Sequence, residues 1–274
     1  MTPSGGAVLL IGAGRMGGAL IKGWVAGGTF SAIHVVEPRP SDAVTRSAAE
    51  GAIILHAGFS ASDFPPLAAV VLGLKPQAMK NETALLQAIG KTGALVLSIA
   101  AGIDTAFLGT RLGGHTRLVR AMPNTPGAIG RGITALYADA SLAAGDRALA
   151  EALMASLGET LWIGGETLMD AVTAVSGSGP AYVFLMAEAL AEAGRAQGLD
   201  AATADRLARA TVMGAGALLA SDPRPAKELR REVTSPGGTT EAALGVLMAE
   251  DGLGALMRRA VAMATARGKE LGKG

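Results

Sequence analysis

The sequence predicts an α/β protein in which a doubly wound, mostly parallel sheet is followed by an all-helical half. Three observations carry this. Short apolar runs alternate with helical patterns from residue 8 to about residue 163. A Gly-x-Gly-x-x-Gly turn stands directly behind the first run. Beyond Gly164 the strand-like β-branched runs vanish and alanine-rich helical segments take over.

The first run, Ala7-Val8-Leu9-Leu10-Ile11, leads into Gly12-Ala13-Gly14-Arg15-Met16-Gly17 and then a helix over residues 18–26. A strand, a glycine turn and a helix in this order form the dinucleotide fingerprint of a Rossmann-like domain. Gly12 permits the tight turn, Gly14 lets the main chain approach a pyrophosphate, and Gly17 lets the helix pack close to its strand. The helix start adds N–H groups and a positive dipole end, which suit phosphate. Further strands are expected at 33–37, 52–55, 70–74, 94–99 and 117–121, with helices at 41–50, 77–89 and 104–108 between them. A strand at 132–137, a helix at 143–157 and a last strand at 160–163 complete this half. The second half should hold helices at 169–197, 201–219, 225–233, 239–250 and 254–271, with Asp200 and Asp222 at N-cap positions. A boundary at Gly164-Gly165 gives a dinucleotide-binding domain over 1–164 and a helical domain over 165–274. The helical half has many apolar positions and few charges, as over 172–187, which implies a dimer interface, packing against the first domain, or both.

Composition narrows the function. Lys and Arg total 24 against 23 acidic residues, so no clustered charge points to nucleic acid. The chain has no cysteine, which excludes disulfides, thiolate catalysis and cysteine-ligated metal. His34, His56 and His115 lack metal-ligand spacing, so no metal is expected. The longest clearly apolar run, Leu67 to Leu74, is far short of the roughly 18 residues of a spanning helix. No basic region precedes the first apolar run, so the expectation is a cytoplasmic protein without a membrane partner.

The residue ending the second strand of such a domain meets the adenosine ribose, and Glu37 stands there, 20 residues beyond Gly17. A carboxylate at this place accepts from ribose hydroxyls and repels a 2′-phosphate, whereas Arg39 and Ser41 just beyond could hold that phosphate. Four further stretches carry chemistry. Leu74-Lys75-Pro76-Gln77 ends a strand with a lysine where ligands lie. Ser98-Ile99-Ala100-Ala101-Gly102 ends the next with small residues that admit a flat ring. Arg120-Ala121-Met122-Pro123-Asn124-Thr125-Pro126 should be an extended loop fixed by two prolines, offering Asn124 and Thr125 as polar contacts. Val233-Thr234-Ser235-Pro236-Gly237-Gly238-Thr239-Thr240 opens a helix, where glycine N–H groups would seat a small carboxylate.

Together with Ser176-Gly177-Ser178-Gly179-Pro180-Ala181-Tyr182, these stretches resemble the pyrroline-5-carboxylate reductases in order and spacing over nearly the whole chain. The resemblance implies an N-terminal Rossmann domain and a C-terminal all-α dimerisation domain. It also implies NAD(P)H-dependent reduction of a small cyclic imine to L-proline, by homodimers that some members assemble into rings. By resemblance, Gly12, Ala13, Gly14, Arg15, Met16 and Gly17 hold the cofactor with Leu72, Gly73, Leu74 and Lys75, and Ala101 lies beside the nicotinamide. Glu37, Arg39, Ser41 and Asn124 complete the expected cofactor contacts. Ser235, Gly237, Gly238, Thr239 and Thr240 hold the substrate, and Thr240 is the expected catalytic partner of the imine nitrogen. Many relatives carry Ser or Thr where Glu37 stands. Arg39 and Ser41 nevertheless put NADPH first, with NADH as the alternative.

Two other readings compete. β-Hydroxyacid dehydrogenases share the Gly-x-Gly-x-Met-Gly start but carry a catalytic lysine on the helix after the region matching Ser176 to Pro180. Here residues 181–190 contain no lysine. A non-catalytic NAD(P) sensor would bind nucleotide without turnover and would have no use for the Ser235 to Thr240 loop.

Overall fold

Along the first strand, β1 (Gly5–Ile11), Val8 and Leu10 enter one apolar cluster while Leu9 and Ile11 enter another. Successive side chains of a strand point to opposite faces, so a continuously apolar run must be covered on both. The computed structural model describes residues 5–273 and shows that covering. After β1 come α1 (Arg15–Gly27), β2 (Phe30–Val36), α2 (Asp42–Ala49), β3 (Ile54–His56) and β4 (Leu67–Leu72). The chain continues through α3 (Pro76–Asn81), α4 (Thr83–Gly90), β5 (Leu95–Ser98), α5 (Thr105–Arg111), β6 (Leu118–Met122), β7 (Gly132–Tyr137), α6 (Ala144–Met154) and β8 (Gly158–Trp162).

The eight strands form one sheet in the order β3-β2-β1-β4-β5-β6-β7-β8. All neighbours are parallel except β6 and β7. The first six strands thus follow the dinucleotide-fold order, with its switch point between β1 and β4, where the chain leaves toward opposite edges. Residues of α1 and α6 cover one face, and those of α3, α4 and α5 the other. Trp24 of α1 is buried, and its indole Nε1 donates to the Leu153 carbonyl of α6 at 2.8 Å.

The rest of the chain is helical: α7 (Met169–Val172), α8 (Gly179–Ala196), α9 (Ala201–Ser221), α10 (Ala226–Glu232), α11 (Thr239–Leu247) and α12 (Leu253–Lys273). Contacts divide the chain into two compact units. One runs through Gly177 and includes the end of α12 from Ala264, and the other is Ser178–Met263.

Four expectations need correction. The helix expected at 77–89 is two, because Glu82 (φ −90°, ψ 51°) leaves helical geometry between α3 and α4. The expected extended loop after Arg120 tightens into a 3₁₀ turn, Thr125–Ile129, since Pro126 at a first-turn position suits a helical start. The single helix expected at 169–197 is broken by a wide π turn, Thr173–Gly177, before α8 begins with a proline in its first turn. Asp200 caps α9 by accepting from the Thr203 N–H at 3.0 Å, but Asp222 closes that same helix and bonds Arg224 instead of capping α10. Among the described residues no helix is long and apolar enough to cross a membrane, and no cluster of three or more metal-ligand side chains occurs.

Replacing Trp24 by Phe removes the indole bond from the buried α1–α6 contact. The expected cost is about 1–3 kcal/mol of stability, read as a lower urea midpoint with an unchanged slope.

Candidate functional site

The site is built where β1 and β4 separate. Gly12 follows β1 at φ +93°, and a Cβ there would lie 2.8 Å from the Gly73 carbonyl oxygen, just past β4. A Cβ on Gly17 would lie 2.3 Å from the Gly12 carbonyl oxygen, so α1 is seated directly against the turn. Gly14 differs, because its Cβ position meets nothing within 4 Å. It caps α1 without any side-chain bond, and the first turn carries no acidic residue. Two glycines are therefore consumed by packing, and the third faces open space before a helix N-terminus, the arrangement a pyrophosphate requires.

Glu37, just beyond β2, is pinned. Its Oε2 accepts the Ala13 N–H at 2.9 Å and its Oε1 accepts the Arg39 N–H at 3.0 Å. The carboxylate thereby joins the end of β2 to the fingerprint turn. On one side of it lies a groove of about 820 Å³ between α1 and α2, which collects Ala13, Gly14, Arg15, Arg39 and Ser41. On the other lies a cleft of about 760 Å³ that collects Gly12, Gly14, Gly73, Leu74 and Lys75 with Ala57, Gly58 and Phe59. Sequence reasoning missed this last trio. The rule that pointed to Lys75, ligands beyond the carboxyl ends of parallel strands, would have found it had it been applied to β3.

Other expected contacts sit differently. Met16 is half-buried against the core and Leu72 is fully buried in it. Ala101 is exposed past β5. The Asn124 amide is used internally. Its Oδ1 accepts the Ile133 N–H at 3.0 Å and its Nδ2 donates to the Ser176 carbonyl at 3.3 Å, bracing the π turn.

In the second unit, Gly238 caps α11 and Gly237 has φ +70°. The Gly237 N–H donates to the Glu241 carboxylate at 2.7 Å, and the Gly238 N–H to the Ser235 carbonyl at 3.0 Å. The glycine N–H groups expected to seat a carboxylate are thus engaged. Among the described residues, the N–H groups without a hydrogen bond at this helix start are those of Thr239, Thr240 and Glu241.

A family model described as pyrroline-5-carboxylate reductase dimerisation matches residues 166–271, and one described as NADP oxidoreductase, coenzyme F420-dependent, matches residues 7–102. The chain is 42% identical to pyrroline-5-carboxylate reductase of Pseudomonas aeruginosa over 96% of each sequence. The chain belongs to the pyrroline-5-carboxylate reductase family. A family member from Pisum sativum is 35% identical, over 95% of this chain and 94% of that one. The solved pyrroline-5-carboxylate reductase of Coxiella burnetii superposes with a TM-score of 0.87 at 35% identity, covering 96% of this chain and 97% of that one. The fold is also that of the Plasmodium falciparum pyrroline carboxylate reductase solved with NADP bound, at a TM-score of 0.79, 24% identity and coverage of 99% and 100%. As a member of the family the chain is an oxidoreductase using a nicotinamide cofactor, and the open Gly14 turn fits such a dinucleotide.

Because Gly14 is unobstructed, Gly14→Ala should fold with unchanged stability yet bind the dinucleotide about tenfold or more weakly, as read by calorimetric titration. Gly17→Ala should lose stability itself, since its Cβ strikes backbone.

Proposed function

We propose that the chain reduces 1-pyrroline-5-carboxylate to L-proline, the last step of proline biosynthesis. The match to the family along the whole chain supports this reading, and the absence of lysine over 181–190 speaks against alcohol oxidation by the β-hydroxyacid dehydrogenase route. The reduced nicotinamide, when bound, supplies the hydride that the C5=N carbon of the imine accepts. Protonating the imine makes that carbon electrophilic, so the protein needs little acid–base machinery. In this reading Ser235, Gly237, Gly238, Thr239 and Thr240 form the substrate loop, with the N–H groups of Thr239 and Thr240 taking the carboxylate. The Thr240 hydroxyl orients the imine N–H; a neutral hydroxyl is too weak an acid to be the proton source. Most of the rate comes from positioning.

For the cofactor, the pinned Glu37 carboxylate outweighs the exposed Arg39 and Ser41 side chains, and the proposed reductant is NADH ahead of NADPH. A carboxylate held by two N–H groups keeps its remaining lone pairs for ribose hydroxyls, and it opposes a 2′-phosphate. This reverses the order expected from sequence, where the attachment of Glu37 to Ala13 could not be seen. The functional division proposed is 1–164 and 165–274, supported by the dimerisation match that starts at residue 166. The helical region pairs two copies. Phe184, Leu185, Met213 and Val246 are each more than 60% exposed in the single chain, which supports a homodimer; rings of dimers would appear as multiples of its mass.

The test is oxidation of NADH and of NADPH followed by nicotinamide absorbance, with the imine added last. Imine-dependent oxidation that is faster with NADH is the expected result, and nucleotide binding without turnover would leave only a sensor. Thr240→Ala should lower kcat/KM by about 10- to 100-fold with cofactor affinity unchanged. Glu37→Ser should raise the NADPH-to-NADH ratio of kcat/KM by about tenfold or more.

A further inference from the structure

One pair of titratable groups, buried His34 and partly exposed His56, adjoins the dinucleotide cleft and has no part in the chemistry above. His34 of β2 is only 5% exposed, and its Nδ1 lies 3.1 Å from Nε2 of His56 on the edge strand β3. Phe64 closes over both rings, at 5.4 Å and 4.7 Å between centroids, and Phe59 stacks on Phe64 at 5.3 Å. So short a nitrogen–nitrogen contact requires one ring to donate and the other to accept. The far nitrogen of His34, Nε2, is buried without a partner. A proton added to His34 therefore places an orphan donor and a positive charge in an apolar interior, and a proton on each ring opposes two cations.

The cluster is wired to the cofactor site. The His56 carbonyl accepts the Glu37 N–H at 3.2 Å, and the Glu37 carboxylate holds Ala13 of the fingerprint turn. The next residues, Ala57, Gly58 and Phe59, are a wall of the cleft. Among the described residues no carboxylate is bonded to either imidazole, and that of Glu37, three residues beyond His34, is engaged by the Ala13 and Arg39 N–H groups. Neither β1 nor β4 carries a titratable residue. The segments sharing this apolar cluster bring Asp63, Lys80, Glu82, Lys91, Asp104 and Arg111, and among the described residues none of these pairs with either imidazole.

We propose that buried His34, bonded to His56, is an acid-sensitive latch on the dinucleotide cleft: proton uptake by His34 loosens β3 and the 57–59 wall and weakens cofactor binding. Burial, reinforced by the neighbouring His56, holds the His34 imidazole below its ordinary pKa. An unfolded or loosened chain then binds the proton more readily than the closed one. The stabilisation is complete above the ordinary histidine pKa of about 6.5 and is lost as pH falls toward the lowered value. The inference rests on the dinucleotide cleft and not on the identity of the imine, so failure of the reductase reading would leave it standing.

The test is calorimetric titration of NAD⁺ into the full chain from about pH 8 to about pH 5, the oxidised dinucleotide being stable in acid and lacking a 2′-phosphate that titrates nearby. In the wild type, Kd should rise as pH falls, approaching about tenfold per pH unit. His34→Leu, which fills the apolar site without a titrating group, should flatten that rise while binding as well at the alkaline end. His34→Gln, which retains a hydrogen bond to His56, should flatten it too and decides the matter if the leucine variant does not fold. A pH-independent wild-type Kd, or an equal acid slope in wild type and either folded variant, would overturn the proposal.

Discussion

Everything at the nucleotide end depends on how closely the ends of β1 and β4 pass each other. The Gly73 N–H donates to the Ile11 carbonyl at 2.8 Å, and a Cβ on Gly73 would come within 2.7 Å of the Gly12 carbonyl oxygen. No residue with a side chain fits either Gly12 or Gly73 without backbone movement. That contact brings the two strands together at the point where the chain departs to opposite edges of the sheet. It opens the crevice there and sets α1 so that its N-terminus points into it. The alternating apolar residues of the sheet, buried on both faces, make this crossing rigid.

Around this frame, polar groups are few and mostly engaged. Glu37 spans the fingerprint turn and its own loop, and Glu166 accepts from both the N–H and the hydroxyl of Thr105 while pairing with buried Arg120 at 3.2 Å. Asn124 similarly braces the strand end of β6 against the π turn. Each of these side chains ties a strand's carboxyl end to a neighbouring loop. The loops at the carboxyl ends of the strands are thereby held by hydrogen bonds whose loss would leave groups unsatisfied.

The helical region follows a different logic. In α8 and α9 the buried residues are small, namely Ala191, Ala204 and Ala208, while long apolar side chains such as Phe184 and Met213 point outward. Small residues let α8 and α9 lie close, but a lone chain leaves the larger ones in water. A second copy is what makes that economical, in keeping with a family whose dimerisation region this is.

Much of the fold and part of the site were legible in the sequence, because they depend on local patterns. Short apolar runs marked the strands, the glycine spacing marked the turn, and Asp200 marked a helix start. What the sequence could not display were contacts set by distant segments. The break at Glu82 and the π turn at Thr173–Gly177 interrupt stretches whose composition reads as unbroken helix. Asp222 found Arg224 rather than a helix start, and Asn124 found Ile133 and Ser176. The sequence by itself determined the sheet-then-helices order, the place of the dinucleotide turn and the family to which the motifs point. Only the tertiary structure decided where the Glu37 carboxylate is pinned, which N–H groups at the start of α11 are engaged and that His34 meets His56. Those outcomes turn on side-chain partners brought together by folding, and no local periodicity encodes them.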